Sequence, residues 1–282
     1  MKNAIIILNY NDSDNTMKIL KKIKNYKILD YIIVVDNKST DDSLKKLKPF
    51  ENEKIKIVSA LKNRGYAAGN NVGMKYVLEN FKVQNIIISN PDIIVEEETI
   101  SHLLKHLKKK DLAVIAPVIK EPNAISRGWR LPTFFSELVA NMPFFRRYEM
   151  NLLAYQDEDY QKELTQVEVV KGCFFIIKKE ALEAIGLFDE HTFLYYEEII
   201  MGKKLKDLDL NTYIDNNSRV IHELSQSVDK SVKKINKFKY LKESQYYYER
   251  EINKMGRFKL FILRLFYYLY LGTLKMTLLF RR

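Results

Sequence analysis

The sequence predicts an α/β fold in which a mostly parallel sheet is flanked by helices. Three short runs of β-branched residues, 4–8, 31–35 and 85–89, are continuously apolar and bounded by polar turns. Such runs are typical of strands that are buried on both faces of a sheet. Segments with the apolar spacing of helices lie between them, and strands that alternate with helices form parallel βαβ units.

The other elements of the N-terminal half follow the same alternation. A first helix is predicted within residues 13–30, where apolar residues recur at helical spacing after polar capping residues. A short capped helix is expected within 39–50, a strand at 54–60 and a longer helix within 67–81.

The second half is organised differently. Residues 118–149 are rich in proline and aromatic residues, which predicts a long excursion on the substrate side of the sheet. A strand into Gly172, a second strand and a short helix ending at Gly186 are predicted next. The composition then shifts to Lys, Tyr, Phe and Leu without strand signals. We therefore expect a main domain over 1–225 and a helical C-terminal extension over 226–282.

Length, charge and cysteine content narrow the classes of protein. The 282 residues are enough for one large domain with an extension, and a hydrophobic fraction of 46% indicates a globular chain. The net charge of +11 favours anionic partners, but no zinc-finger, helix-turn-helix or RNA-binding motif accompanies it, so we expect no nucleic-acid partner. The single cysteine, Cys173, and an N-terminal apolar run too short for a signal peptide lead us to expect a cytoplasmic protein.

Four predicted loops place polar groups directly after strands. They carry Asn9, Asp36, Asn63 and Asn90. Ligands bind at the carboxyl ends of strands in open α/β sheets, where Asn and Asp can hydrogen-bond a nucleoside and glycines such as Gly65 let the backbone approach phosphate. Any one of these loops is also explained by ordinary turn chemistry. Four at corresponding positions, without a GxGxxG fingerprint, favour a mononucleotide site unlike the Rossmann one.

Two acidic residues and a histidine in the second half are further candidates. Glu197 and Glu198 follow the aromatic run 193–196, which would desolvate a carboxylate, raise its pKa and suit it to general-base work. The alternative is a helix N-terminus, where the dipole favours acidic residues. His222 follows a strand-like stretch, and a lone histidine is more often structural.

These segments together resemble a bacterial family 2 glycosyltransferase of the GT-A fold, in the branch that includes rhamnosyltransferases of polysaccharide assembly. The resemblance covers about residues 3–227 and rests on the order and spacing of six segments. They are "IIILNYND", "IIVVDNKSTDDS", "NRGYAAGNNVG", "IISNPDIIV", "KGCFFIIKKEALEAIGLFDEHTFLYYEE" and "VIHELSQS".

The resemblance implies a role for each matching residue. The aspartate matching Asp36 contacts the nucleobase, and the segment 63–71 closes over the nucleotide. Asp92 belongs to a variant DxD element that meets the diphosphate and its metal, Glu198 is the catalytic base, and His222 can complete the metal shell. Oxygen and imidazole ligands suit Mg²⁺ or Mn²⁺. The implied nucleotide-sugar-binding residues are Asn9, Tyr10, Asp36, Asn63, Arg64, Gly65, Asn71, Asn90 and Asp92.

Two departures from the family pattern bear on catalysis. The family usually has Glu-Asp with a further aspartate two residues later, whereas this chain has Glu197-Glu198 and then Ile200. Because glutamate is one methylene longer, a base at Glu198 needs a compensating backbone shift. The other interpretations are that Glu197 takes the role, or that activity is weak or lost. Asn90 replaces a first aspartate and leaves Asp92 as the only carboxylate of its motif.

The resemblance implies an inverting, metal-dependent glycosyltransferase. It would move a sugar, with rhamnose as the first candidate, from a nucleoside diphosphate to a glycan or polyprenyl-diphosphate-linked acceptor in cell-surface polysaccharide synthesis. The same scaffold with a galactose or N-acetylglucosamine donor is the alternative among enzymes. A non-catalytic, membrane-attached assembly subunit is the alternative from another class, motivated by the Glu-Glu pair and Ile200.

Three residues of the excursion are candidates for binding the acceptor. They are Arg127, Trp129 and Arg130. Arginine suits bidentate contact with phosphate, and tryptophan suits stacking on a sugar face. A surface loop anchored by a buried Trp129 explains the same residues equally well.

Residues 256–282 are strongly apolar, yet charges at 264 and 275 leave no run long enough to span a membrane. If this segment is a helix, four of its six basic residues lie along one line on the helix surface and the other two lie off that line. The line holds Arg257, Arg264, Lys275 and Arg282, and the two others are Lys259 and Arg281. A basic stripe beside a wide apolar face predicts an interfacial helix on the anionic inner face of the cell membrane. A homodimer through the same face is the main rival.

Overall fold

One mixed β-sheet forms the centre of the computed structural model, which describes residues 2–142, 148–223 and 234–279. The hydrogen-bonded order is β3-β2-β1-β4-β9-β6-β10-β5, with β7 paired to β6 and β8 paired to β10. The strands are β1 (Asn3–Asn9), β2 (Tyr31–Asp36), β3 (Ile55–Ser59), β4 (Asn85–Ser89), β5 (Ile93–Ile94), β6 (Leu112–Glu121), β7 (Ala124–Ser126), β8 (Leu164–Val167), β9 (Phe174–Lys178) and β10 (Asn211–His222).

Helices cover both faces of this sheet and continue beyond it. The α-helices are α1 (Ser13–Ile23), α2 (Ser43–Leu47), α3 (Tyr66–Asn80), α4 (Glu97–His106), α5 (Phe134–Ala140), α6 (Glu149–Leu153), α7 (Lys179–Ala184), α8 (Glu197–Asp207), α9 (Lys234–Tyr247) and α10 (Arg257–Leu279). Short 3₁₀ turns occur at Lys48–Phe50 and Asp157–Gln161, and a π-helical turn at Tyr248–Ile252 joins the last two helices.

In the parallel part of the sheet, strands β1, β2 and β4 are buried on both faces. Strands β3, β2, β1 and β4 pair in parallel, and Ile6 of β1 lies between Ile33 and Ile88 of its neighbours. Side chains of a strand alternate between faces. Ile5 and Ile7 therefore belong to one hydrophobic cluster and Ile6 to another. This two-sided burial explains why the strand sequences are continuously apolar.

The strand directions gather several chain segments at one edge of the sheet. Asn9 lies opposite Asp36 where β1 and β2 end. Strand β9 runs antiparallel to β4 and places Phe174 opposite Ser89, so its first residues start where β4 ends. Strand β10 is parallel to β6 and finishes at His222.

The predicted α/β class with a helical C-terminal extension is confirmed. The sheet is mixed, whereas βαβ units alone predict only parallel strands. The difference arises because the chain returns from the long excursion to the edge where β4 ends, and β9 then runs antiparallel to both β4 and β6. The strand that was predicted to run into Gly172 is shorter than expected. Strand β8 ends at Val167, and of the residues that follow, Val169 forms an isolated bridge with Trp129.

The two C-terminal helices pack on each other and on the rest of the chain. Phe238 of α9 stacks on Tyr270 of α10 with ring centroids 4.6 Å apart, and Leu260 and Leu263 of α10 are buried. Among the residues that the structure describes, no helix is both long and apolar enough to cross a membrane. Arg281 and Arg282, expected on this helix, lie outside the described residues, as does the side chain of Lys275.

Gly73 sets how closely α3 approaches the sheet. A Cβ at this position would lie 2.7 Å from Ile6 Cγ2 and 2.8 Å from Val35 Cγ2. We expect Gly73→Ala to lower the free energy of unfolding, measured by urea denaturation, by on the order of 1–2 kcal/mol, because overpacking outweighs the gain in helix propensity.

The matched control is Gly272→Ala, since Gly272 is also helical and a Cβ there meets nothing within 4 Å. This substitution should leave stability unchanged or raise it by up to about 1 kcal/mol. Equal stability of the two variants would show that α3 does not depend on close packing at Gly73.

Candidate active site

The ends of β1 and β2 carry a fixed polar network. Asn9 Nδ2 donates to Asp36 Oδ1 at 3.0 Å and to Ser39 Oγ at 3.1 Å, and Asn9 Oδ1 accepts from the Thr16 hydroxyl at 2.9 Å. The Ser39 N–H donates to Asp36 Oδ2 at 3.1 Å. Asn9 and Asp36 are buried and Tyr10 is half-buried. The aspartate is thus held in one orientation at the strand end.

The segment that starts at Asn63 packs against the loop before α8. Gly65 has φ +100°, and a Cβ there would lie 2.0 Å from the carbonyl oxygen of Phe193. The next N–H, of Tyr66, donates to that same oxygen at 2.9 Å. Asn63 Oδ1 accepts from the Gly65 N–H at 3.0 Å. Position 65 therefore requires glycine for both conformation and space.

Two residues of this segment are engaged with the loop 188–190. Asn71 Nδ2 donates to the Phe188 carbonyl and to Glu190 Oε1, both at 2.9 Å, and Asn71 Oδ1 accepts from the Phe188 N–H at 3.1 Å. Arg64 forms an exposed ion pair with Glu190 at 2.9 Å. The buried Asn71 thus holds the loop 188–190 against α3. Arg64, in contrast, has a weak surface ion pair that an anion can replace.

The loop after β4 is tied to the start of β9. The Asn90 N–H donates to the Cys173 carbonyl at 2.8 Å. The Tyr66 hydroxyl lies 3.1 Å from Asn90 Oδ1 and donates to the Gly172 carbonyl at 2.7 Å. Burial, with the nearby Cys173 and glutamates, raises the pKa of Tyr66, so its hydroxyl stays a donor. Sequence reasoning missed Tyr66, although it lies inside the segment "NRGY".

Asp92 and His222 come together because β5 pairs with β10. His222 lies opposite Ile93, and its Nε2 is 3.3 Å from Asp92 Oδ1. Its other nitrogen, Nδ1, is 2.9 Å from Glu121 Oε1, and Glu121 also pairs with Lys171. Burial opposes the charged imidazole, but the hydrogen bond to Asp92 and the contact with Cys173 raise the pKa of His222 to about 10.

The Asp92 carboxylate and the His222 imidazole are placed as ligands of a divalent cation. Two cis ligands of an octahedral ion lie about 3 Å apart, close to the Asp92–His222 separation of 3.3 Å. A metal-binding histidine usually has its second nitrogen on a carboxylate, and Glu121 occupies that position. Sequence reasoning missed Glu121. It ends the apolar strand β6, as Asn9 ends β1, and that strand-end position was the available signal.

The acidic pair starts α8 after two strained residues. Tyr195 and Tyr196 both have φ +73°, a conformation that costs non-glycine residues on the order of 1–3 kcal/mol each. The Tyr196 hydroxyl donates to the buried Glu137 carboxylate at 2.6 Å, which anchors this turn. The turn sets the direction in which Glu197 and Glu198 leave the helix N-terminus.

The two glutamates have different surroundings. Glu197 is 5% exposed, and burial together with the charge of Glu198 raises its pKa to about 8. Glu198 is half-buried, and its Oε2 lies 3.7 Å from where a Cβ of Gly172 would be. Burial raises the pKa of Glu198, and the charge of Lys171 opposes that rise. Glu198 thus faces the segment that also contacts Tyr66 and Glu121.

The candidate acceptor residues lie along one strip of the excursion. The backbones of Trp129 and Val169 exchange hydrogen bonds of 3.0 and 2.9 Å. The Arg130 guanidinium is stacked 4.1 Å from the ring centroid of Tyr155 and its side chain is exposed, whereas Arg127 faces Asp157 at 3.7 Å. Trp129 is half-buried and is not a fully buried anchor.

This fold, a mixed sheet flanked by helices, is that of the GT-A glycosyltransferases. The chain belongs to glycosyl transferase family 2, whose family model matches residues 4–186. The resemblance predicted from the sequence is confirmed at the level of family and fold.

Two characterised relatives are similar to this chain. The low-salt glycan biosynthesis hexosyltransferase Agl10 of Haloferax volcanii is 26% identical over 196 residues, or 70% of this chain and 59% of that protein. The dTDP-rhamnosyl transferase RfbF of Shigella flexneri is 23% identical over 229 residues, or 81% of this chain and 70% of that protein. The chain thus spans less than two thirds of the Haloferax protein.

Solved structures share the fold at low sequence identity. The mannosyltransferase PcManGT from Pyrobaculum calidifontis, in complex with GDP-Man and Mn²⁺, has a TM-score of 0.62 and 14% identity, covering 95% of this chain and 69% of that one. GalNAc-T7 with UDP, GalNAc and Mn²⁺ has a TM-score of 0.66 and 16% identity, covering 88% and 48%.

The raised pKa of Glu197 predicts a pH-dependent stability. The folded state holds a proton up to about pH 8 that the unfolded chain releases near its ordinary value of 4.5. The free energy of unfolding should therefore fall as pH rises through this window, by on the order of 1 kcal/mol for each unit of pKa difference. Glu197→Gln should reduce that slope in urea denaturation across the window.

Glu180→Gln is the matched control, because Glu180 is an exposed glutamate in the first turn of α7. Its pH profile should follow that of the parent protein. A Glu197→Gln profile as steep as the parent one would mean that Glu197 is ionised in the folded state at neutral pH.

Proposed function

We propose that this chain is an inverting glycosyltransferase that moves a sugar from a nucleoside diphosphate to a glycan or lipid-linked acceptor. The observation that carries the proposal is the convergence, at one sheet edge, of Asp36, the Asp92–His222 pair and Glu198. Rhamnose is the first candidate for the transferred sugar because RfbF is named a dTDP-rhamnosyl transferase. Another hexose is the alternative, supported by the hexosyltransferase Agl10.

The donor half of the site has two parts. Asp36, held by Asn9 and Ser39, presents a fixed carboxylate to the nucleoside. Asp92 and His222 would hold Mg²⁺ or Mn²⁺ against the diphosphate, with Glu121 orienting the imidazole. When bound there, the ion offsets the negative charge that develops on the leaving diphosphate.

Glu198 is the proposed general base. The acceptor hydroxyl oxygen forms a bond to the anomeric carbon while the bond from that carbon to the diphosphate oxygen breaks, and Glu198 takes the hydroxyl proton. The half-buried position of Glu198 supports this role. Glu197 is more deeply buried, and burial and the charge of Glu198 raise its pKa, so its carboxylate is less accessible to an acceptor hydroxyl. The two left-handed tyrosines before α8 set the direction in which Glu198 leaves the helix N-terminus.

The acceptor would lie along the strip that carries Trp129, Arg127 and Arg130. The exposed Arg130 guanidinium is stacked on Tyr155, so it is already oriented for contact with an acceptor phosphate. The half-buried Trp129 offers part of its indole ring for a sugar face. The alternative, a non-catalytic membrane-attached assembly subunit with a degenerate site, would show no metal-dependent binding of nucleoside diphosphates.

Release of nucleoside diphosphate from a panel of nucleotide sugars tests these roles. Glu198→Gln should lower turnover by on the order of 10²-fold or more while donor affinity stays within a few-fold, because the residue acts on the acceptor proton. Asp92→Asn should instead weaken Mn²⁺-dependent binding of the nucleoside diphosphate in calorimetry.

Glu197→Gln is the matched control and should keep most of the turnover. A loss confined to Glu197→Gln would move the base to Glu197. If neither variant loses turnover, or the parent protein binds the donor but turns over none of the panel, the catalytic proposal is wrong.

The C-terminal extension, residues 226–282, is proposed to dock on an anionic membrane surface. One face of α10 packs inward through Leu260, Leu263 and Leu271, and the opposite face is apolar and exposed. The exposed residues of that face are Phe258, Phe261, Leu265, Tyr268 and Leu269. An exposed aromatic face is what an interfacial helix inserts into the lipid boundary.

Charge favours a membrane over a second protein surface. Arg257 and Arg264 are exposed and lie beside the apolar face at helical spacing. The chain as a whole carries a net charge of +11. Cations at the edge of an inserted face meet anionic headgroups. A lipid-linked acceptor would then lie at the same surface as the enzyme.

Substitution of exposed aromatics tests docking without uncovering the packed face of α10. Phe258→Ser with Phe261→Ser should weaken co-sedimentation with phosphatidylglycerol-containing vesicles by roughly tenfold or more, because each exposed ring loses its burial in lipid. The control Leu61→Ser removes another exposed apolar side chain, 95% exposed, far along the sequence from α10, and should bind vesicles like the parent protein.

Light scattering distinguishes the rival interpretation. If the parent chain is a dimer that does not bind vesicles and the double variant is a monomer, this face is a subunit interface and the membrane proposal is wrong.

A further inference from the structure

A second cluster of metal-ligating side chains lies on α4, outside the candidate active site. His102 and His106 are four residues apart and therefore share one face of the helix. Their rings meet edge to face with centroids 5.0 Å apart. Glu163, just before β8, and Asp215, on β10, face the same pair. Two of the chain's four histidines thus meet two carboxylates at one place.

The distances within the cluster are close to those of a shared metal ion. Glu163 Oε1 lies 3.6 Å from His106 Nε2 and 3.8 Å from His102 Nε2. One ligand atom from each of these three residues falls within 4.8 Å of the others. Ligands about 2 Å from a tetrahedral zinc ion lie about 3.3 Å apart. Rotation of the exposed Glu163 side chain can shorten its own two distances to the histidine nitrogens, and the two imidazole rings would adjust around a bound ion.

Asp215 orients the first histidine for this role. Its Oδ2 lies 2.8 Å from His102 Nδ1, which leaves Nε2 directed to Glu163. Asp215 is fully buried and is itself held by the Ser218 hydroxyl at 2.6 Å and the Asn217 N–H at 3.0 Å. A buried carboxylate on the second nitrogen of a histidine is the usual support of a zinc ligand.

The other two side chains are also placed for coordination. Within the described part of the chain, the buried Nε2 of His106 has no hydrogen-bond partner. The backbone of Glu163 is fixed to β10, because its carbonyl accepts from the Asn216 N–H at 2.9 Å. The polar nitrogen that packing leaves unsatisfied therefore faces a carboxylate on a fixed segment.

We propose that His102 Nε2, His106 Nε2 and Glu163 Oε1 form a binding site for a borderline transition-metal ion of the Zn²⁺ class, with a fourth position open to water. Two imidazoles favour Zn²⁺ or Co²⁺ over the Mg²⁺ that oxygen ligands prefer. The ion would join α4 to the β8–β10 pair. Asp215 lies seven residues before His222 on β10, so the site is separate from the candidate active site but shares its strand.

Calorimetric titration of chelator-treated full-length protein with Zn²⁺, in buffer with excess Mg²⁺, tests the site. We expect one Zn²⁺ ion per chain at micromolar affinity or tighter, a Zn²⁺-dependent rise in Tm, and a visible Co²⁺ spectrum typical of tetrahedral coordination. Glu163→Gln and His106→Gln should each weaken Zn²⁺ binding by at least about tenfold.

Glu158→Gln is the matched control, an exposed glutamate in the same segment, and should bind Zn²⁺ like the parent protein. His222→Gln should also keep this binding. The Glu163 side chain is 54% exposed, so Glu163→Gln remains an informative variant even if His106→Gln does not fold. The proposal is overturned if Zn²⁺ does not bind saturably, or if binding is lost in His222→Gln and kept in Glu163→Gln.

Discussion

Two backbone carbonyls directly before β9 hold the candidate active site together. The Gly172 carbonyl accepts from the Tyr66 hydroxyl, and the Cys173 carbonyl accepts from the Asn90 N–H. Lys171, one residue earlier, pairs with Glu121, and Glu198 lies against Gly172. This short segment therefore fixes the distance between the residues proposed to meet the diphosphate and the residue proposed to accept the proton. Its position depends on β9 being inserted antiparallel between β4 and β6.

The same region carries two energetically unfavourable features, backbone strain and buried carboxylates. Two consecutive tyrosines adopt left-handed backbone conformations, and two adjacent glutamates are partly or fully removed from water. Such strain persists only where the surroundings hold it, and here the Tyr196–Glu137 hydrogen bond and the packing of Tyr248 against Tyr196 do so. Strain and desolvation concentrated at a helix N-terminus are typical of a functional site.

The C-terminal helices contribute to the site as well as to the outer surface. Ser244 of α9 donates to the Leu194 carbonyl at 3.0 Å, and the Tyr247 hydroxyl lies 3.1 Å from Asp189. Both contacts hold the loop that leads into the acidic pair. If α10 docks on a membrane, α9 and this loop connect the docked helix to the proposed base. Within the described residues, α9 and α10 pack in one unit with the site.

The sequence by itself determined strands β1 to β4 and β9, the polar residues that follow the parallel strands and the family, because short apolar runs and turn residues are local signals. Tertiary structure alone decided which distant side chains meet. His222 and Glu121 are 101 residues apart, and His102 and Asp215 are 113 apart. Glu197 and Glu198 are adjacent in the first turn of one helix, and only the tertiary structure decided that Glu197 is buried while Glu198 is half-buried. The local periodicity of the sequence does not specify the direction of a strand or the backbone turn before that helix. These two features determine which of the distant side chains meet and which of the two glutamates is buried.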